Sequence, residues 1–150
     1  YGRPGGASGW RSDRPGDSSR AEKLEGWYVD SDASHHITYD ARDLTDVRKL
    51  DERDWFDIIG VGGEIVRPIA VGTLQVAPSF CWDMRVTVGN VYVAPSSCVK
   101  VLSVAAFSEK GVTVRFDKYV VNICRRGRVV LTGHRAGNLY LLECDLTRNS

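Results

Sequence analysis

Alternation of apolar and polar positions is the main pattern along this chain. It is clearest in the segment Gly72-Thr73-Leu74-Gln75-Val76, which alternates as a strand with one buried face does. Other short apolar segments are rich in β-branched and aromatic residues and are bounded by turn-forming residues. Together these patterns predict strands at 27–30, 55–59, 64–69, 72–76, 81–88, 90–93, 112–116, 120–124, 128–132 and 138–142.

Two segments have a helical pattern instead. Apolar side chains recur on one side of residues 101–110, and Gly111 is a natural residue to end a helix there. A shorter helix is predicted to begin with Asp40 as its N-cap and to end near Leu50. Many short strands with one well-patterned helix predict an all-β, barrel-like domain.

The composition is that of one domain with its own core. The chain has 150 residues, of which 43% are hydrophobic, and its formal net charge of +1 provides no overall basic field for nucleic acid. No apolar run has the length of a membrane span, and the N-terminus has no signal-peptide pattern, so we expect no membrane partner. Because the sequence begins with Tyr1, we expect it to be part of a longer protein.

The cysteines and histidines do not have the spacing of a metal site. No two cysteines are at CxxC spacing, and each lies in or beside an apolar segment, which predicts buried, reduced thiols in an intracellular protein. His35 and His36 are adjacent, and neighbouring residues of an extended segment point to opposite sides, which disfavours joint ligation of a metal. The four cysteines are Cys81, Cys98, Cys124 and Cys144.

Arginine is concentrated in two places. Residues 1–22 are rich in Gly, Ser and Arg and almost lack apolar side chains, which predicts a flexible linker. Weak nucleic-acid contact through its arginines and Trp10 is the functional alternative to a plain tether. The cluster at 125–128, Arg125, Arg126 and Arg128, is either a solvated turn or a phosphate contact.

The stretch 27–38 carries the candidate chemistry. Its apolar start predicts a buried strand, which is followed by a small polar loop that begins with Asp30. A carboxylate at the exit of a buried strand is held rigidly with low dielectric behind it, which suits a catalytic group. The alternative is an aspartate that only caps a turn.

Six motifs follow one another in an order that is typical of one family. The first, at 27–38, reads Trp27-Tyr28-Val29-Asp30-Ser31-Asp32-Ala33-Ser34-His35-His36-Ile37-Thr38, and the others lie at 62–74, 91–95, 100–104, 111–116 and 133–142. In this order they resemble the protease region of copia-type LTR retrotransposon polyproteins, running into the segment before the integrase. The resemblance covers residues 26–144.

The resemblance implies a retropepsin-like aspartic endopeptidase. It implies a closed barrel of short, mostly antiparallel strands with one helix in the C-terminal half, over residues 23–124. Residues 125–150 would form a hairpin and the start of the pre-integrase segment. Such enzymes are homodimers in which each subunit contributes one aspartate, here Asp30; the pair shares one proton and activates a water.

The resemblance also implies roles for the residues around Asp30. Ser31, Asp32 and Ala33 would complete the active-site loop, with Ser31 bonding across the dimer. The implied flap, which closes over a peptide, consists of Gly62, Gly63 and Glu64, although a simple tight turn is the alternative for these glycines. The implied partners are peptide segments of the protein's own polyprotein in an intracellular retrotransposon particle, with no cofactor and no metal.

One residue departs from the family pattern. The catalytic triplet of the family ends in glycine, and here it ends in Asp32, which adds bulk and negative charge beside Asp30. This departure leaves a second interpretation open, in which the chain is a catalytically impaired or domesticated dimeric scaffold with a retained fold.

Overall fold

The computed structural model describes residues 22–60 and 63–146. The predicted linker, apart from its last residue Glu22, therefore lies outside the described residues, as do Trp10 and the predicted flap residue Gly62.

The described part of the chain is all-β with one short helix, as the alternating pattern predicts. The helix is α1, Val104–Glu109. Two 3-10 turns occupy Ala41–Asp43 and Glu52–Asp54. The strands are β1 Trp27–Asp30, β2 His36–Thr38, β3 Leu44–Lys49, β4 Ile58–Ile59, β5 Ile65–Val66, β6 Ala70–Pro78, β7 Val86–Val93, β8 Lys100–Ser103, β9 Thr113–Phe116, β10 Val120–Arg125, β11 Arg128–Ala136, β12 Leu139–Leu142 and β13 Cys144–Leu146.

Eleven of these strands form one sheet in the order β9-β10-β11-β12-β1-β8-β2-β7-β6-β13, with β3 paired to β6 beside that path. Most pairs are antiparallel, but β1 pairs with β8 and β2 with β7 in parallel. The strands at the two ends of the path, β9 and β13, are not paired with each other. The described strands therefore form an open sheet, and the expected closed barrel is not found among them. Strands β4 and β5 form a separate hairpin.

The core explains why β1 is fixed so firmly. Trp27 and Val29 on β1 are buried and pack with Leu74 on β6, Leu102 on β8 and Ile123 on β10 in one apolar cluster. Burying each of these side chains contributes about 1.5–3 kcal/mol. The strand that ends at Asp30 is thus anchored by the centre of the core.

Both predicted helices are corrected by the structure. Residues 101–103 of the first lie in strand β8, because they pair with β1, and the helix begins only after Ser103, whose Oγ caps it by accepting the Ala106 N–H at 3.0 Å. Gly111 does end the helix, with φ +76°. The second is a 3-10 turn capped by Asp40, as predicted, but the chain then continues as β3 against β6.

Several predicted strands have other bounds in the structure. The strand predicted at 55–59 is reduced to β4, and the one at 64–69 to β5. The two predicted at 81–88 and 90–93 are one strand, β7, which starts only at Val86. Strands β2 and β13 lie in segments where no strand was predicted.

The strands between residues 125 and 146 belong to the same sheet. Strand β12 pairs with β1 and β13 pairs with β6. Leu131 on β11 and Leu142 on β12 are buried in the cluster that contains Trp27. All four cysteines are unpaired thiols; Cys124 is buried, and the other three are only partly buried, less than the sequence predicts.

Candidate active site

Asp30 is held by strands on both sides. On one side, β1 pairs in parallel with β8, in a register that places Asp30 opposite Ser103. On the other side, β12 pairs with β1 up to Val29, which lies opposite Tyr140. Side chains alternate along β1, so Trp27 and Val29 enter the core while Asp30 is only partly buried. Asp30 is therefore the point at which a rigid, buried strand meets an open cleft.

The Asp30 carboxylate organises the loop that follows it. Its Oδ1 accepts a hydrogen bond from the backbone N–H of Asp32 at 2.8 Å. This is a side-chain-capped turn, so the turn-cap interpretation of Asp30 is confirmed. The two interpretations are compatible, because the same bond fixes the direction in which the carboxylate faces the cleft.

A buried network supports the far end of the loop. The Ser103 backbone N–H donates to His36 Nδ1 at 2.9 Å, and the Ser103 Oγ–H donates to the Ala33 carbonyl at 2.7 Å. His36 is buried, and its ring packs on Phe107 with ring centroids 4.7 Å apart. Burial, with a smaller contribution from His35, lowers the pKa of His36 to about 4. His36 is therefore neutral near pH 7, as its role as acceptor requires.

The two adjacent histidines face different surroundings. His35 packs against Phe56 and Tyr92, with ring centroids 5.1 and 5.4 Å away, whereas His36 packs on Phe107. Burial lowers the pKa of His35, and Glu109 opposes that shift. Within residues 22–60 and 63–146, no three His, Cys, Asp or Glu side chains are grouped closely enough to hold a metal ion.

A cleft of about 780 Å³ opens over the loop. The loop from Asp30 to Ser34 lines it, together with apolar side chains that include Val29, Ile37 and Val101. Residues 57–60 form a second wall, and Phe116 with residues 138–140 forms a third. The cleft thus combines carboxylates with apolar surface, which is the character of a ligand-binding site.

Two of the cleft walls were not recognised as parts of a site from the sequence. Asp57 lines the cleft and is ion-paired with Arg67 at 2.9 Å, and Ile58 and Ile59 follow it. The opposite wall, 138–140, lies more than a hundred residues after Asp30 in the chain. The motif at 133–142 contained that wall, but nothing in its residue types indicated that it would lie beside Asp30.

The hairpin predicted as a flap is present, and its β4 arm lines the cleft. Strands β4 and β5 pair, and the turn between them includes Gly63, which has φ +86°. Nothing lies within 4 Å of the position where a Cβ on Gly63 would be placed. Ile59 and Ile65, one on each strand, are 74% and 68% exposed. Gly63 and Glu64 lie in this turn, outside the cleft lining, and Gly62 is not among the described residues.

Asp32 fits the loop of a single chain without backbone strain. It is exposed, and its φ is not positive, unlike that of Asp46, Asn90 and Arg126. Within one chain, therefore, the backbone here does not require glycine. Ser31 and Asp32 are exposed and Ala33 is partly exposed, and all three line the cleft beside Asp30.

Comparison of the chain with protein-family models, with curated proteins and with solved structures finds no match. No helix in the described part of the chain is long and apolar enough to cross a membrane.

Proposed function

We propose that this chain is the aspartic endopeptidase of a copia-type retrotransposon polyprotein, with Asp30 as its catalytic residue. The observation that carries the proposal is the position of Asp30, at the end of a buried strand and oriented by the Asp32 N–H at 2.8 Å. The carboxylate faces a cleft of about 780 Å³ with apolar walls. A hairpin with exposed isoleucines borders the same cleft.

The second carboxylate of the dyad comes from Asp30 of a second copy. In the described chain, the other acids that line the cleft are Asp32 and Asp57. Asp57 is already paired with Arg67. Asp32 belongs to the same short loop, and its backbone N–H is committed to Asp30. Neither is placed as the second member of a dyad, whereas a symmetric dimer supplies an identical group across its axis.

In this mechanism the pair of Asp30 carboxylates shares one proton. The ionised member takes a proton from a water, whose oxygen attacks the carbonyl carbon of the peptide bond. The protonated member gives its proton to the carbonyl oxygen. When the tetrahedral intermediate collapses, the C–N bond breaks and the leaving nitrogen takes a proton from the dyad. The apolar walls hold the peptide side chains, and the β4–β5 hairpin closes over them.

The test is cleavage of a library of proteome-derived peptides, read by mass spectrometry. We expect wild-type protein to cleave and Asp30→Asn to lose all cleavage, because the amide keeps the shape but cannot act as the base. Asp46→Asn is the matched control, since Asp46 has φ +53°, which asparagine tolerates. Retained cleavage in Asp30→Asn would disprove the proposal.

The second candidate function is a dimeric scaffold with an impaired site, and Asp32 is the observation that favours it. In a dimer, two Asp32 carboxylates would approach the axis beside the dyad, and like charges in a partly buried site repel. Asp32→Gly should then raise cleavage and strengthen dimerisation. A wild-type protein that dimerises in sedimentation experiments and cleaves no peptide until Asp32 is replaced by glycine would favour the scaffold.

A further inference from the structure

The Asp30 loop is enclosed by one strand, β8. Strand β1, which leads into the loop, pairs in parallel with β8, and β2, which leads out of it, pairs with β8 in the opposite direction through Ile37 and Val101. Ser103, the last residue of β8, lies level with Asp30. The strands at both ends of the loop are therefore held by pairing with the same short strand, β8.

Ser103 makes three hydrogen bonds that join the loop to the helix. Its Oγ–H donates to the Ala33 carbonyl at 2.7 Å, and its Oγ accepts the Ala106 N–H of α1 at 3.0 Å. Its backbone N–H donates to His36 Nδ1 at 2.9 Å. Ser103 is 0% exposed, so no water is available to replace a lost partner.

We infer that His36 is a positioning residue for Asp30: it fixes Ser103, and Ser103 fixes the carbonyl of Ala33, the residue that directly follows the catalytic triplet. The effect on activity rests on the proposed function. His36 does not line the cleft. Its Nδ1 accepts the hydrogen bond that the Ser103 backbone N–H donates. Its ring also packs on Phe107 of α1, so its position is determined by the core.

The route from His36 to the carboxylate is short. Ala33 directly follows Asp32, whose N–H orients Asp30 Oδ1. If the Ala33 carbonyl loses its anchor, the peptide unit between Ala33 and Ser34 is free to rotate, and the short loop that holds the Asp32 N–H against Asp30 Oδ1 loosens with it. Misplacement of a catalytic group by about 1 Å lowers the rate on the order of 100-fold.

Two substitutions of His36 separate positioning from packing. His36→Phe keeps a ring against Phe107 but removes the acceptor. His36→Asn places an amide oxygen near the position of Nδ1 and so keeps it. Leu131→Ala is the control for lost stability, because Leu131 is buried on β11 and its side chain takes part in none of the hydrogen bonds that hold the loop. Turnover is measured per folded molecule, with kcat and KM determined separately.

We expect His36→Phe to lower kcat tenfold or more with a smaller change in KM. We expect His36→Asn to stay within a few-fold of wild type and Leu131→Ala to leave kcat unchanged. Amide hydrogen exchange at Asp32 should accelerate in His36→Phe alone. If His36→Phe and Leu131→Ala have the same kcat and the same exchange at Asp32, or if His36→Asn is as impaired as His36→Phe, the inference is wrong.

The exchange measurement also separates this inference from the proposed function. If wild-type protein cleaves nothing, the proposed function fails, while faster exchange at Asp32 in His36→Phe still supports positioning and unchanged exchange refutes it. Should His36→Phe not fold, Ser103→Ala tests the same route, because it removes the bond to the Ala33 carbonyl but keeps the N–H. Ser103→Thr, which retains a hydroxyl, is its matched control.

Discussion

Acidification should destabilise this fold through His36. The pKa of this buried histidine is lowered from 6.5 to about 4, mainly by burial. The unfolded chain therefore binds a proton at a higher pH than the folded chain does. Stability is complete above the unfolded pKa, falls as the pH drops below it, and stops falling once the folded pKa is passed.

The size of this effect follows from the shift. Each pKa unit corresponds to 1.36 kcal/mol, so the full loss between pH 6.5 and pH 4 is about 3 kcal/mol, and about 2 kcal/mol is lost by pH 5. The lowered pKa of His35 acts in the same direction. Asp40, whose pKa is lowered to about 2 by its hydrogen bond to Arg42, loses its contribution only below its ordinary value of 3.8. The loss of stability between pH 6.5 and pH 4 therefore reports protonation of His35 and His36.

The assay is urea unfolding at a series of pH values from 7 to 4. We expect the free energy of unfolding to fall over this range in the wild type and to fall much less in His36→Asn. The comparison variant is His134→Gln, which removes an exposed histidine and leaves the core packing unchanged. An unchanged slope in His36→Asn would refute the assignment of the pH dependence to His36.

Three further predictions concern packing and the flap. Lys100→Met should cost about 3–5 kcal/mol in urea unfolding, because it removes the partner 2.8 Å from the fully buried Asp43; a loss below about 1 kcal/mol would contradict this. Gly133→Ala should cost about 1–3 kcal/mol, because its Cβ would meet the Leu141 carbonyl of the neighbouring strand; wild-type thermal stability would contradict it. Gly63→Val should reduce peptide turnover more than stability, because Gly63 lies in the exposed turn of the proposed flap, where a β-branched residue at φ +86° distorts the turn but disturbs no packed neighbour; equal losses would show that Gly63 serves only the turn.

The all-β class was predictable because alternation is a local property of the sequence. The segment 101–110 shows where local reasoning fails. Its apolar spacing is compatible with a helix, yet Val101 and Leu102 are drawn into β8 by pairing with Tyr28 and Val29, more than seventy residues earlier in the chain. No periodicity within the segment contains that information, so the helix was predicted three residues too early.

The parts of the candidate site that are contiguous in the sequence were predictable, and the parts that depend on distant residues were not. Asp30 and its loop were predictable, because an acid after an apolar strand is visible in the sequence and the motif at 27–38 is contiguous. The support from His36 and Ser103 was not, because it joins residues 67 positions apart. The wall at 138–140 could not be predicted for the same reason, since it depends on β12 pairing with β1.

The pairing of β12 with β1 has a consequence for the order of events during synthesis. Asp30 is made early, but β1 has neither strand neighbour until residues near 100 and then near 140 have left the ribosome. At roughly 5–20 residues per second, about 5–20 s pass between the synthesis of Asp30 and that of Tyr140. Pairing across such a separation is also slow to form. The cleft is thus completed late, and a nascent chain that already carries Asp30 still lacks the third wall of the cleft beside it.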